Sequence, residues 1–342
     1  MIVEAESIVQ IKVQDFKYPS FSIVIEWGRF LQTDEAERAR TTLKRLCEQI
    51  LQISEKISNG EIMIIFEPTE IEVSKIKRFA LEQLEPCIKL IDFKLISTDL
   101  HYYEMKNLGA EHSSNELVLL VDSDVIIDDG WLVGYLESFK NPEVKVVSGH
   151  TYLGLNTLLE KVLGLVLFQP LPDVDYIYEN GHFYGNNMAL RRKVFLKHPF
   201  PKIKTFHGQC TFLMVELLKN RIKIYRQPKC KAAHPMPTTF KQFLSWGFIQ
   251  GLSSPAKRRA SCNGKKLNLF KENENHDTFS QIISRTKKRI RYVGLTPSLI
   301  ICALGILPTY FLLMLIGATV ATIWPNYFDH MVKTGWARKL WL

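Results

Sequence analysis

The run Val118-Leu119-Leu120-Val121-Asp122-Ser123-Asp124 constrains this chain more than any other stretch. An aliphatic segment this continuous suits a strand covered on both faces. It ends abruptly in two carboxylates, Asp122 and Asp124, and Asp is a poor strand residue. The pair is therefore expected where the strand leaves the sheet, which is where ligands bind in open α/β folds. Hard oxygen ligands there suit Mg2+ or Mn2+ carrying a diphosphate, because such ions take a few carboxylates and complete their shell with substrate phosphates. A solvated turn holding two unrelated aspartates is the plainer alternative.

The strand belongs to an alternating series. Residues 21–25, 61–66, 88–96 and 117–121 read as strands, while 35–53 and 71–84 carry apolar residues at helical spacing, the second closed by Pro86. Strand and helix in alternation predict a doubly wound, mostly parallel sheet. With 342 residues and 46% hydrophobic content, the chain has room for a large α/β domain and is not globally disordered. Its six cysteines (47, 87, 210, 230, 262, 302) have no CxxC spacing and read as reduced thiols.

The charge balance points toward a membrane. The net charge of +9 is concentrated late, in Lys257-Arg258-Arg259, Lys265-Lys266 and 285–291. Such a surface suits nucleic acid or anionic lipid, and the segment that follows favours lipid. Residues 295–324 hold no charged side chain, and roughly 20 such residues suffice to cross a bilayer as a helix. Trp324, Tyr327, Trp336 and Trp341 could form an interfacial belt, and the heavier basic flank puts the large N-terminal domain in the cytoplasm. Pro308 leaves a kinked span and a re-entrant loop both open, and a buried helix of a soluble protein is the bland reading. The first ten residues lack a signal-peptide layout. The expected division is a leader at 1–20, two halves of one domain at 21–150 and 151–251, a basic interfacial linker at 252–291, a membrane segment at 292–325 and a tail at 326–342.

The motifs, in their order along the chain, resemble those of membrane-attached family-2 glycosyltransferases of the GT-A fold, the cellulose-synthase-like and ceramide-glucosyltransferase-like group. Lys106-Asn107-Leu108-Gly109 resembles the RNxG stretch ahead of the DxD motif, here Asp122-Ser123-Asp124. Gly185-Asn186-Asn187-Met188-Ala189-Leu190-Arg191-Arg192 resembles the G-x-N-x-A-x-R-R segment, and Ala233-His234-Pro235 the histidine segment. Trp246-Gly247 follows, and the order holds across roughly residues 21–250. The resemblance implies hexosyl transfer from a nucleotide-diphosphate sugar, assisted by Mn2+ or Mg2+. Asp124 would hold the metal, Asp122 the nucleotide ribose or the metal shell, and His234 would complete the site. Glu67, Asn107, Arg191, Gln242 and Trp246 would contact the donor. The acceptor would be a lipid-linked sugar or a glycan, with no nucleic-acid partner.

Departures from the pattern are equally informative. Where the family carries an acidic pair, this chain reads Gly208-Gln209-Cys210-Thr211, so the base for an acceptor hydroxyl is missing from its place. Replacement candidates are Glu216, Asp173, Asp175 and His207. The family's QxxRW appears as Gln242-Phe243-Leu244-Ser245-Trp246, without its arginine, and the first strand ends in Glu26-Trp27. An active transferase with a divergent acceptor site and a catalytically impaired scaffold both remain open. A nucleotidyltransferase would want a glycine- and lysine-rich loop that Glu26-Trp27-Gly28-Arg29 does not offer.

Overall fold

The computed structural model describes residues 17–27, 33–67, 73–165, 174–202, 208–235, 237, 239–252, 287–324 and 327, with backbone alone at 33–35. Asp173, His207, Trp336, Trp341 and nearly all of the leader, linker and tail lie outside the described residues.

The first part alternates as expected. β1 (Phe21–Trp27), α1 (Thr33–Gln52), β2 (Gly60–Phe66), α2 (Val73–Leu84), β3 (Asp92–Ser97), α3 (Tyr102–His112) and β4 (Leu117–Asp122) follow in order. β3, β2, β1 and β4 lie side by side and all parallel. β3 starts later than expected, because Glu85–Cys87 tightens into a 3-10 turn around Pro86 and the chain extends only from Asp92.

The second part departs from a mostly parallel sheet. It comprises β5 (Ile126–Ile127), α4 (Trp131–Ser138), β6 (Val146–Leu153), α5 (Leu158–Gly164), β7 (Tyr178–Glu179), β8 (Asn187–Arg191), α6 (Arg192–Lys197), α7 (Gln209–Lys219), β9 (Ile224–His234) and α8 (Phe240–Leu252). The sheet order is β3-β2-β1-β4-β8-β6-β9-β5, with β7 beside β9. β8 runs antiparallel to β4 and β6, and β5 and β7 run antiparallel to β9, so antiparallel pairings equal the parallel ones in number. The reason lies in the connection: β6 and β8 meet the same edge of the sheet, so β8 sets out from where β6 ended and must run back.

Two cores explain the unbroken apolar runs. One face packs against α1, α2 and α4 through residues such as Ile23, Ile25, Leu119 and Val121. The other packs against α3, α6 and α7 through Val24, Leu120, Met188 and Leu190. β1, β2 and β4 are buried at every position, as strands covered on both faces must be.

The C-terminal α9 (Pro297–Ile323) is one continuous helix of 27 residues that passes through Pro308, about 40 Å at the usual rise per residue. The helix does not turn back at Pro308, which corrects the re-entrant alternative. It lies on α8 with unusual closeness. A Cβ on Gly251 would stand 2.1 Å from the Met314 carbonyl oxygen, and one on Gly317 would stand 2.2 Å from that of Phe248. Phe243 and Tyr310 pack beside this crossing at 5.5 Å between ring centroids. On its other side Ile301, Leu304, Leu312 and Leu315 are left exposed by the described residues.

Candidate active site at the carboxylate edge

The parallel strands all end at one edge of the sheet, which therefore gathers Trp27, Phe66, Asp122, Leu153 and His234. Glu26 stands directly beside Asp122 in the β1–β4 ladder. Both are buried polar residues, and alternation along the strands puts both side chains on the α3 face.

Asp122 is held by a buried lysine. α3 begins with a capping box of His101 and Glu104, and its first turns carry Tyr102, Tyr103 and Lys106 to the strand ends. Lys106 is 0% exposed. Its ammonium donates to Asp122 Oδ1, to Tyr102 OH at 2.8 Å and to Gly185 O at 2.7 Å, so its three protons meet three acceptors. It also lies 4.2 Å from the Tyr102 ring centroid. The Tyr102 hydroxyl donates to Asp122 Oδ2, and burial, then the Asp122 charge, hold its pKa well above that of a free phenol. Both oxygens of Asp122 are thus engaged by protein donors. Asp122 does not fit the expected role of metal ligand, because Lys106 already supplies the neutralising charge.

Asp124 is placed differently. It lies in the turn between β4 and β5, and α1 staples this turn from one helix face. Arg38 Nε donates to the Asp124 carbonyl and its Nη2 to Ala233 O at 2.7 Å. Thr42 and Arg45, one and two turns on, donate to the carbonyls of Val125 and Ile127. A single guanidinium therefore ties Asp124 to the residue before His234, and the Ile126↔Ala233 pairing aligns the two strands. The His234 Nδ1 contacts Pro235 O. A carbonyl only accepts, so Nδ1 carries the proton and Nε2 the lone pair a metal requires.

One carboxylate and one imidazole fit a hard divalent cation whose remaining ligands come from a diphosphate. Among the described residues no group of three or more His, Cys, Asp or Glu is arranged around a metal. The fit therefore extends to Asp124 and His234 and not to Asp122.

Other expected residues fall elsewhere. Arg191 ends β8 opposite Leu117, at the far edge of the sheet, where it binds Glu116 and the carbonyls of Phe139, Asn141 and Val144. A donor contact there is ruled out by the strand's direction. Asn107 clasps the backbone of Phe200 through both ends of its amide, at 2.8 and 3.0 Å. Gln242 and Thr239 cap the start of α8 reciprocally. Trp246 packs with Leu153, Phe243 and Tyr310 in a small core beneath α9. Glu67 follows β2 at the carboxylate edge, half-buried.

Of the replacement bases, Glu216 and Asp175 are among the described residues, and each is engaged away from Asp124. Glu216 lies two turns along α7, accepts from Asn220 at 2.8 Å and faces His198 Nδ1 at 3.4 Å. Asp175 lines a separate cavity of about 830 Å³ with Arg45, Asp128, Gln227 and Lys229. At the start of α7, Cys210 Sγ meets Tyr103 OH at 3.0 Å, and burial pushes its thiol up, away from the thiolate.

Sequence reasoning noted Lys106 only as part of a motif and missed Tyr102 and Arg38. The available signal was the 38, 42, 45, 49 spacing of polar residues on α1, a helix face that must meet something.

The mannosyltransferase PcManGT from Pyrobaculum calidifontis, solved in complex with GDP-Man and Mn2+, matches this chain with a TM-score of 0.57 at 15% identity, over 91% of this chain and 89% of that one. No protein-family model and no curated protein matches the sequence. The chain thus has a GT-A-like glycosyltransferase fold.

Proposed function

We propose that this protein is a membrane-attached glycosyltransferase that moves a hexose from a nucleotide-diphosphate sugar to an acceptor. The observation that supports this reading is that Arg38 ties the backbone of the Asp124 turn to that of Ala233, the residue before His234, at the carboxylate edge, in a fold like that of a mannosyltransferase solved with GDP-Man and Mn2+. Asp124 and His234 would hold Mn2+ or Mg2+, which when bound would supply positive charge to the departing nucleoside diphosphate. Lys106 keeps Asp122 oriented and neutralised, which leaves Asp122 and Glu67 to orient the nucleotide. α9 attaches the molecule to the membrane, with the catalytic domain on the cytoplasmic side and the acceptor lipid-linked or a glycan. The family-2 subgroup is the one whose motif order the chain follows.

A catalytically impaired scaffold is the second reading, favoured by Gln209 and Cys210 where a general base would stand. Calorimetry with nucleoside diphosphates and Mn2+, followed by turnover of nucleotide sugars, separates the two. Metal-dependent binding with turnover supports the transferase, and binding without turnover on any acceptor supports the scaffold.

A further inference from the structure

The sheet face that carries Asp122 holds a second buried cation. Arg226 of β9 pairs with Ser148, Ser148 with Met188, and Met188 with Leu120, so Arg226 shares a face with Asp122, one side-chain step lower. It is 1% exposed. Its Nη2 reaches His182 O at 3.5 Å, and its Nε is buried without a hydrogen-bond partner. Among the described residues no carboxylate forms an ion pair with it, and the titratable groups that bear on it are the neutral phenols of tyrosines 135, 178 and 184. Two residues beyond Ser148, His150 is 1% exposed with neither ring nitrogen hydrogen-bonded. Burial and Arg226 push His150 and His182 down to about 4, so both are neutral at physiological pH.

A guanidinium does not shed its proton in a protein, and a buried charge without a counterion is strongly unfavourable. The arrangement is therefore incomplete without an anion. It is also linked to the carboxylate edge: His182 O receives Arg226 and Gly185 O receives Lys106, so the same short loop tethers both buried cations.

Building on the transferase reading, we propose that Arg226, with His150, receives an oxyanion, a phosphate or carboxylate, borne by the acceptor. This accounts for the missing base. A hydroxyl acceptor must lose a proton as it attacks, and no carboxylate stands at the start of α7 to take it. An oxyanion has no proton to lose. Its oxygen forms the bond to the anomeric carbon while the bond from that carbon to the donor diphosphate breaks. The nucleoside diphosphate leaves with the electron pair, and no proton is transferred.

The test titrates methyl phosphate into the full chain in detergent, read by calorimetry and by histidine NMR, with and without saturating nucleoside diphosphate and Mn2+. Binding is expected in wild type, with shifts of the His150 resonances, and is expected to persist when the nucleotide is bound. Arg226→Met should weaken it about tenfold or more, the scale of one charged hydrogen-bonding partner. Arg226→Lys and His150→Gln, which perturb the fold less, should weaken it several-fold. Absence of binding to wild type, or equal binding to the three variants, overturns the site. Displacement by nucleoside diphosphate assigns the oxyanion to the donor and overturns the acceptor assignment. Phosphate binding in a protein that binds no nucleotide supports the anion site and sinks the transferase reading, so the two fail separately.

Discussion

At the scale of single residues, the Lys106–Asp122 pair decides how the carboxylate edge is held. Lys106→Met leaves Asp122 buried against Tyr102 without its cation, and the expected cost is about 3–5 kcal/mol of stability. Lys106→Met combined with Asp122→Asn should regain much of that loss in thermal unfolding while transfer stays impaired. Equal destabilisation in the single and double variants would contradict the pairing. His150 makes a second prediction. Its folded pKa of about 4 lies below the 6.5 of the unfolded chain. Stability from its neutral burial is fully present above pH 6.5 and is lost as pH falls toward 4, by up to about 3 kcal/mol. Melting curves across that window should fall less steeply for His150→Gln than for wild type. The two aspartates were legible in the sequence because an aliphatic run ending in Asp has few other uses. The partner of Asp122 was not, since Lys106 reaches it only once α3 has folded back over β4.

At the scale of elements, the parallel first half was legible from periodicity alone, whereas the direction of β8 was not. A short apolar strand reads the same in either direction, and only the connection from β6 sets its sense. That is why Arg191, placed among donor contacts by motif order, stands at the opposite edge bound to Glu116. The α8–α9 crossing gives a prediction of its own. Gly251→Val drives a side chain into the Met314 carbonyl, and overpacking of this kind costs about 1–3 kcal/mol or more. Limited proteolysis should release α9 from the Gly251→Val variant and not from Gly305→Ala, where a Cβ meets nothing.

At the scale of the whole molecule, an α/β domain with a polar carboxylate edge and an apolar helix with an exposed face coexist in one chain. Apart from the strip that packs on α8, most of the apolar surface of α9 is left uncovered by the described residues. Leu304 and Leu315 are 66% and 64% exposed. Changing both to Arg should release the protein from membranes in carbonate extraction, because each charge costs about 3 kcal/mol at mid-bilayer. Retention of the double variant would contradict a membrane role for α9. The length and apolarity of this helix were plain in the sequence. Its continuity through Pro308 was not, because a proline's effect depends on what packs around it.

The most direct test of the account is nucleoside diphosphate release from a panel of nucleotide sugars, in membranes containing the protein with Mn2+, wild type beside Asp124→Asn. The account predicts release from at least one donor, falling about a hundredfold or more in the variant, as loss of a major electrostatic stabiliser would produce. Undiminished release by Asp124→Asn, or silence of wild type across the panel with no metal-dependent nucleotide binding, would contradict it.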